Sequence, residues 1–326
     1  MTDGLQPLRL RQAMTVDVGL TPDASIRALI EPLDVAAEAD SIEELRTIFR
    51  GFLRDMYDRT EPTLVVTEDT TVPGMTRQIP IRIYEPTGSA EDLLDVVVFF
   101  HGGGWVAGDL FTADAGSRAL AVGLGARVVS VDYALAPETA FPEPLDECVL
   151  VTNDVAARET SARVVVAGES AGGNLAAAVA FRVDQAALSG QVLINPVLDH
   201  ACGSASHMRF GTGYGLTTAA VKRFVELYSA GTDPANPLIS PLNAPSLRGL
   251  PPAVITTAGF DPVRDDGVRY AQRLMDDDVP VAYVPMPTFL HGWWSVLTAS
   301  AVARRELDRI VAACRALLSA PTCARG

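Results

Sequence analysis

The sequence has 326 residues, 48% of them apolar and 20% charged, which is typical of a globular chain long enough to bury a large core. Acidic residues outnumber basic ones by 40 to 26, so the formal net charge is −14. This charge disfavours DNA or an anionic membrane surface as a partner, because both would repel an acidic chain.

The cysteines Cys148, Cys202, Cys314 and Cys323 form neither a C-x-x-C pair nor a cluster with histidines. This scatter favours reduced thiols over a disulfide framework and predicts no metal site. The N-terminus lacks the continuous apolar core of a signal peptide, and no run of about 18 uncharged apolar residues occurs. We therefore expect a cytoplasmic protein without a membrane anchor.

The first 60 residues show helical spacing without strand character. One predicted helix opens at Thr21-Pro22-Asp23. A second opens at Ser41-Ile42-Glu43-Glu44, where the acidic first turn suits a helix N-terminus, and should run to about Tyr57. Because this segment precedes the first strand, it has to pack on elements that come later in the chain.

From residue 64 onward the pattern changes to strands, and then to strands alternating with helices. Strands are predicted first over residues 64–72, 80–84 and 95–100. Short apolar runs typical of buried parallel strands then predict five more, over 127–131, 164–167, 191–194, 253–257 and 281–284. Helices are predicted near 112–124, 144–157, 171–186, 262–276 and 301–318. This alternation is typical of an α/β fold with a mostly parallel central sheet flanked by helices.

The interval between Asn195 and Pro252 is too long for an ordinary strand-to-helix connection. It contains a predicted helix at 217–228, a glycine-rich loop at 210–215 and a proline-rich return at 234–252. Exposing the apolar side chains of this interval to water would be unfavourable. We therefore predict a cap that packs with the N-terminal helices over the carboxyl edge of the sheet. The predicted organisation is an N-terminal cap segment (1–60), an α/β core (61–194 and 236–326) and a cap insertion (195–235).

The motif around which the chain is organised is Gly168-Glu169-Ser170-Ala171-Gly172. It stands between an apolar β-branched run and an alanine-rich stretch, so the local order is strand, tight turn, helix. A serine in such a turn stands clear of the backbone, where a base can reach its hydroxyl. The helix N-terminus also directs N–H groups at developing negative charge. We therefore predict that Ser170 is a nucleophile.

A serine nucleophile needs a base, and the chain has only four histidines. His200 and His207 lie in the predicted cap, and His101 begins a run of glycines. His291 instead follows the last strand, at the sheet edge where catalytic residues gather. We predict that His291 is the base.

The base needs an acid to fix its tautomer, and the order Ser, acid, His places this acid between Ser170 and His291. Asp261 meets the condition because it follows the predicted strand 253–257. An Asp before a Pro is also a good helix N-cap, which is the competing interpretation. The neighbouring Asp265 and Asp266 fall in a first helical turn and would complement the helix dipole, so we favour Asp261.

The run His101-Gly102-Gly103-Gly104-Trp105 directly follows the predicted strand 95–100. Successive glycines let backbone N–H groups point into a cavity without obstruction by side chains. The run matches the H-G-G-G motif of lipases and esterases, whose oxyanion hole is completed by the N–H after the nucleophile, here that of Ala171. An oxyanion hole is therefore predicted at this turn.

Together these motifs resemble those of the bacterial hormone-sensitive-lipase-type esterases of the α/β-hydrolase superfamily. The matching segments, in the family's order across residues 60–318, are 101–105, 132–138, 168–174, 259–262 and 291–292. The resemblance implies an α/β-hydrolase fold with a mostly parallel sheet of about eight strands and a helical cap. It also implies a structural role for 132–138, a triad of Ser170, Asp261 and His291, and oxyanion N–H groups from Gly103, Gly104 and Ala171.

One segment departs from the family pattern Pro-Gly-Met-x-His-Gly-Phe, since the chain has Pro287-Thr288-Phe289-Leu290-His291-Gly292-Trp293. Thr288 in place of glycine restricts the backbone, and the aromatic residues add bulk beside the base. We therefore predict a narrow pocket that prefers acyl chains of about C2 to C6. Its predicted lining is Trp105, Phe210, Tyr214, Leu216, Phe289 and Trp293. The competing interpretation is that Phe289 and the tryptophans face the core, anchor the last helix and leave the pocket unaffected.

The expected activity is hydrolysis of a short-to-medium acyl ester through an acyl-enzyme intermediate, without cofactor or metal. Acyl transfer to another acceptor, or opening of a lactone or amide of a specialised metabolite, would use the same triad. A non-catalytic ligand receptor on this fold is disfavoured, because such receptors have lost the triad histidine. The expected partner is a small-molecule ester rather than nucleic acid or a membrane, and a homodimer is left open.

Overall fold

The structure is a computed structural model that describes residues 19–31, 33, 39–56, 64–87 and 95–318. The predicted cap residues 1–18, 32, 34–38 and 57–60, as well as Cys323, lie outside the described residues. The strands of the described chain are β1 Val65–Pro73, β2 Gln78–Pro86, β3 Asp95–Phe100, β4 Arg127–Val131, β5 Arg163–Glu169, β6 Gly190–Ile194, β7 Ala253–Phe260 and β8 Val281–Leu290. They form one sheet in the order β1-β2-β4-β3-β5-β6-β7-β8.

The predicted eight-stranded, mostly parallel sheet is confirmed. The first two strands pair antiparallel, β2 also pairs antiparallel with β4, and every other neighbouring pair is parallel. The central strands β3, β5 and β6 are apolar runs buried over nearly their whole length, because helices cover both faces of a parallel sheet. The strand β8 continues to Leu290, well beyond the predicted end at 284, because Leu290 still pairs with Phe260 across an irregularity in the register.

The helices of the described chain lie close to their predicted positions. They are α1 Ala24–Ile30, α2 Ile42–Met56, α3 Asp114–Leu124, α4 Glu143–Arg158, α5 Ala171–Arg182, α6 Ala205–Arg209, α7 Thr218–Ser229, α8 Arg264–Asp276 and α9 Ala301–Leu318. Two differences are a helix that was not predicted, α6, and an earlier end of α5, where the backbone turns extended at Val183. In the part of the chain that is described, no helix combines the length and the apolarity needed to cross a bilayer.

Parallel strands end at one edge of the sheet, and this edge gathers the predicted site. The register pairs Phe100 with Gly168, Glu169 with Ile194, and Phe260 with Leu290. The residues that follow β3, β5, β7 and β8 therefore emerge side by side, although up to 190 positions separate them in the chain (101 to 291). Short apolar strands thus bring distant motifs together.

The insertion between β6 and β7 is folded onto the core rather than being a loose loop. Its proline-rich return buries Ile239, Leu242 and Leu247 completely or nearly so. The amide of Asn174 on α5 holds both ends of the insertion, because it donates to the carbonyls of Val197 and Ile239 at 2.9 and 2.8 Å.

The N-terminal helices pack beside this insertion, over the carboxyl edge of the sheet. Arg223 on α7 donates to the carbonyl of Ala39 at 2.6 Å. On α2, Arg46 donates to the carbonyl of Val106 at 2.7 Å and forms a two-point ion pair with Glu138 at 2.7 and 2.8 Å. These hydrogen bonds attach the N-terminal helices, which precede the sheet in sequence, to loops at the carboxyl edge of the sheet.

Candidate active site

Ser170 stands at the sharp turn between β5 and α5 with φ of 56° and ψ of −115°. A non-glycine residue adopts such angles only where its surroundings compel it. Here the Ser170 N–H donates to the carbonyl of Ile194 at 2.8 Å, and the Ser170 carbonyl accepts from Asn174 and Val197 at 3.1 and 3.3 Å. These three bonds hold the serine out at the carboxyl end of the strand.

The glycines on either side of the serine are needed because other backbone atoms lie too close for a side chain. A Cβ atom at Gly168 would overlap the carbonyl oxygen of Gly172. A Cβ atom at Gly172 would overlap the carbonyl oxygen of Phe100 at the end of β3. The G-x-S-x-G spacing is therefore a packing requirement of the strand-turn-helix unit.

The structure brings Ser170, Asp261 and His291 together in one hydrogen-bonded chain. The Nε2 atom of His291 lies 2.9 Å from the Ser170 hydroxyl, and its Nδ1 atom lies 2.8 Å from Oδ2 of Asp261. Asp261 is fully buried, while Ser170 and His291 are 7% and 9% exposed. The carboxylate accepts from the Nδ1–H, so the Nε2 lone pair faces the serine hydroxyl.

Asp261 is not the helix N-cap of the competing interpretation, because α8 has Val263 at its N-cap position without a side-chain cap. Asp261 does hold the turn before the helix. Its second oxygen, Oδ1, accepts from the N–H of Val263 at 2.9 Å, just before α8 begins. The neighbouring acids are engaged elsewhere: Asp265 pairs with Arg264, and Asp266 accepts from the N–H groups of Leu198 and Asp199. The two oxygens of Asp261 thus have separate tasks. Oδ2 orients the imidazole of His291, and Oδ1 holds the backbone of the turn before α8.

Two opposing effects set the basicity of His291. Burial lowers its pKa, whereas the charge and hydrogen bond of Asp261, together with the charge of Glu169, raise it, and the net result is a pKa above the ordinary value. The nearby carboxylates therefore stabilise the imidazolium that forms when His291 accepts the serine proton.

The glycine turn after β3 opens onto the serine. Gly103 and Gly104 have φ of 115° and 63°, in the region that favours glycine, and both line the same cavity as Ser170 and His291. Ala171 is the first residue of α5, where an N–H has no acceptor within the helix, although its side chain does not line the cavity. The predicted oxyanion residues thus flank the serine from two sides.

The turn is supported from behind by a stacked pair of rings. His101 lies parallel to Tyr133 with ring centroids 4.2 Å apart, its Nδ1 donates to the carbonyl of Gly102 at 2.7 Å, and the Tyr133 hydroxyl donates to the His101 carbonyl at 2.7 Å. Burial lowers the pKa of His101 to about 4, so this ring is neutral and structural. The segment 132–138 braces the turn through the Tyr133 hydroxyl and through the N–H of Ala136, which donates to the carbonyl of Trp105 at 2.9 Å.

An apolar cavity with an empty volume of about 850 Å³, including its open mouth, lies above the serine. Trp105 and Leu216 line it, as the sequence predicts. The remaining wall comes from the N-terminal helices and the cap insertion, through the side chains of Ile30, Leu33, Leu45, Phe49, Val197, Val221 and Phe224. These residues were missed as lining, although the apolar faces of the predicted helices at 41–57 and 217–228 were the available signal.

Four residues predicted to line the pocket do not line this cavity, which corrects that part of the prediction. Phe289 and Trp293 are 3% and 0% exposed and pack edge to face at 5.6 Å inside the apolar core. Phe210 and Tyr214 instead pack on Phe260, with ring centroids 5.5 and 5.4 Å away. Position next to His291 in sequence does not place a side chain in the cavity, because the backbone directs it under the sheet edge.

The family described as alpha/beta hydrolase fold matches residues 97–295 of this chain. Among curated proteins of Mycobacterium tuberculosis, carboxylic ester hydrolase LipN is 36% identical over 266 residues (77% of this chain, 70% of the relative). Esterase LipI is 35% identical over 306 residues (89% and 94%). A solved ester hydrolase from the metagenome of Lake Arreo, complexed with a derivative of bipyridine phosphonate, has 32% identity and a TM-score of 0.83 (91% of this chain, 99% of that one).

Proposed function

The chain belongs to the hormone-sensitive-lipase-type esterase family of the α/β-hydrolases, and we propose that it hydrolyses short-to-medium acyl esters through an acyl-enzyme on Ser170. The observation that carries this proposal is the unbroken hydrogen-bonded chain from Asp261 through His291 to Ser170, opening into an apolar cavity. A polar reactive group at the base of an apolar cavity suits an ester, which has one polar group between two organic parts.

In the acylation step, the Ser170 oxygen attacks the ester carbonyl carbon while its proton moves to Nε2 of His291. The negative charge that develops on the carbonyl oxygen is stabilised by the N–H groups of Gly103, Gly104 and Ala171. The tetrahedral intermediate then expels the alkoxide, which leaves as the alcohol with the proton from Nε2. Asp261 remains ionised throughout and stabilises the imidazolium.

In the deacylation step, His291 removes a proton from a water molecule, whose oxygen attacks the acyl carbonyl on Ser170. The same N–H groups stabilise the second oxyanion, and the proton on Nε2 returns to the serine oxygen as the acid leaves. Each proton is returned, so no cofactor is consumed.

The proposed preference for short acyl chains is supported by residues of the cap that line the cavity, and not by Phe289 and Trp293, which do not line it. Leu216 and Phe224 of the insertion and Phe49 of α2 all line the cavity above the serine. Each methylene of the acyl chain gains about 0.8 kcal/mol by burial until the wall is reached, and overpacking then costs about 1–3 kcal/mol. The ratio kcat/KM should therefore rise and then fall as the acyl chain lengthens.

A series of p-nitrophenyl esters from acetate to laurate tests this function, with Ser170→Ala as the control. We expect an optimum at or below about C6 and loss of turnover in the variant. Analysis of products in the presence of added alcohols distinguishes hydrolysis from acyl transfer. An optimum at C12, or a fully active Ser170→Ala enzyme, would contradict the proposal.

A further inference from the structure

Glu169 is a buried carboxylate that the proposed mechanism leaves without a role. It is the last residue of β5, directly before Ser170, and is only 7% exposed. Its Oε2 atom lies against Gly102, since a Cβ atom added at Gly102 would overlap it. Removing a carboxylate from water is costly, so its place beside the nucleophile calls for an explanation beyond packing.

The carboxylate forms part of the walls of two cavities. It lines the cavity above the serine together with His291, and it lines a second, smaller cavity behind the glycine turn together with His101 and Thr112. Glu169 therefore lines both the catalytic cavity and a second cavity whose walls combine apolar residues with His101 and Thr112.

The titratable groups that face Glu169 come from four elements. Asp261 follows β7 and His291 follows β8, while Tyr133 and His101 follow β4 and β3. Burial raises the pKa of Tyr133 far above its usual range and lowers the pKa of His101 to about 4, so both stay neutral near pH 7. Among these groups, His291 is the one whose charge changes in the range where Glu169 titrates.

We propose that Glu169 is a positioning residue whose carboxyl group titrates together with His291 and so sets the acid limb of the pH–activity profile. When ionised, Glu169 stabilises the imidazolium form of His291 and thereby disfavours the neutral base. When protonated, it takes up the first proton itself and leaves His291 free to accept the serine proton. The inference rests on the proposed function for its kinetic consequence, but the coupling of the two groups is a property of the protein alone.

The electrostatics of the pair are consistent with this coupling. Burial raises the pKa of Glu169 to about 7, with Asp261 adding to the rise and His291 opposing it. The charge of Glu169 in turn helps to raise the pKa of His291. Two groups that titrate in the same range and interact lose their protons in steps that belong to the pair.

The Glu169→Gln variant keeps the shape of the side chain and removes its charge. The wild-type acid limb should be broad, because the first proton is shared between the two groups, whereas the variant should lose activity in one sharper step at lower pH. For an interaction of about one pK unit, kcat/KM relative to its own alkaline plateau should be roughly twofold higher in the variant near pH 6.5. The two profiles should converge near about pH 5, where Glu169 is protonated and as neutral as Gln.

Two control variants test whether the effect comes from the charge of Glu169 itself, rather than from the shape of its side chain or from the loss of any carboxylate. Glu169→Asp retains the ionisable group and should retain the broad limb. Glu226→Gln removes a carboxylate from the exposed face of α7 and should leave the limb unchanged. If Glu169→Asp and Glu169→Gln give the same limb, or if Glu226→Gln shifts it equally, the proposal is overturned.

NMR titration of the imidazole of His291 provides a readout that does not depend on turnover. The chain has four histidines, and His291→Ala identifies the signal that belongs to the base. The His291 titration should be broad in the wild type and move to lower pH as a single step in Glu169→Gln. Identical titrations overturn the inference even if the enzyme is active, whereas the predicted difference in a protein that hydrolyses no ester would leave the coupling intact and refute only the proposed function.

Stability provides a third measurement with a definite sign. The folded-state pKa of Glu169 is raised from 4.5 to about 7, so its contribution to stability is full below pH 4.5 and is lost as the pH rises through 7. Relative to the wild type, Glu169→Gln should therefore gain thermal stability at pH 9 compared with pH 5. A melting-temperature difference that is the same at both values would show that Glu169 is not titrating in this range and would overturn the proposal.

Discussion

The edge of the sheet and the cap above it are built in different ways. At the edge, Ser170, Asp261 and His291 are fixed by hydrogen bonds of 2.8 and 2.9 Å on turns at the ends of strands. In the cap, the cavity wall consists of apolar side chains such as Phe49 and Phe224, which belong to helices far apart in the chain. Reactivity therefore depends on local backbone geometry, whereas the shape of the cavity depends on how separate elements pack.

A second contrast lies within the aromatic residues around the base. Phe289 and Trp293 flank His291 in sequence but are buried below it, whereas Phe224 is remote in sequence and packs over Gly104 at the cavity. Proximity in sequence to His291 is thus a poor guide to which side chains line the cavity. The five predictions below test this separation between edge, core and cap.

The largest effect is expected from removal of the nucleophile or the base. Ser170→Ala and His291→Ala should each lower kcat by several orders of magnitude, and the double variant should be little worse than either, because the residues act as a unit. Steady-state kinetics with a p-nitrophenyl ester measure this. Additive losses in the double variant would show that the two residues act independently, and would remove His291 as the base.

Asp261→Asn should leave a folded protein whose kcat is lower by roughly 10⁴-fold, because the amide favours the wrong tautomer of His291. The asparagine oxygen can still accept from the N–H of Val263, so the turn before α8 is retained. Circular dichroism and kinetics on the same sample separate the two roles. Loss of stability with normal turnover would mean that Asp261 only holds this turn.

Trp293→Ala should reduce the free energy of unfolding by about 3–5 kcal/mol, because it leaves a cavity in a fully buried cluster. The acyl-chain optimum should not move, since Trp293 does not line the catalytic cavity. Urea denaturation gives the first quantity, and the ester series gives the second. A shift of the acyl-chain optimum would show that Trp293 does line the cavity and would contradict its assignment to the core.

Phe224→Ala should move the acyl-chain optimum to longer chains, because it removes a ring from the cavity wall. Each additional methylene that fits gains about 0.8 kcal/mol, or roughly fourfold in kcat/KM. Phe289→Ala is the matched control, since it removes the same ring from the core and should leave the optimum in place. The ratio between esters is the relevant measurement, because Phe224 also packs on Gly104 and its loss can lower all rates together.

The smallest effect concerns the ion pair that ties α2 to the segment 132–138. Arg46 lowers the pKa of Glu138 to about 2, so the pair contributes stability above pH 4.5 that is lost as the pH falls through 2. Glu138 is largely exposed, and Glu138→Gln should therefore cost only about 0–1 kcal/mol at pH 7. Denaturation in low and high salt checks this, because salt should screen an exposed pair. A loss above this range that persists in high salt would identify the pair as a principal anchor of the cap.

The sequence by itself determined the order of the strands along the chain and the identity of the groups that meet at the sheet edge. Short apolar runs predict strands β4 to β8, because strands buried on both faces must be apolar, whereas β1 is mostly exposed and carries polar residues. The G-x-S-x-G turn can be recognised in the sequence because Gly172 lies so close to the backbone of Phe100 that only glycine fits there. Structural features that depend on local backbone geometry can therefore be predicted from a short stretch of sequence.

Only the tertiary structure decided what surrounds those groups. It placed Phe289 and Trp293 in the core, assembled the cavity wall from α2, α7 and their neighbours, and buried Glu169 in the walls of two cavities. The same residue types in the same sequence could have faced the substrate or the core, because a side chain's surroundings depend on contacts between segments that are distant in the chain. Burial, and with it the shape of the cavity and the charge of a carboxylate, arises only when those segments pack.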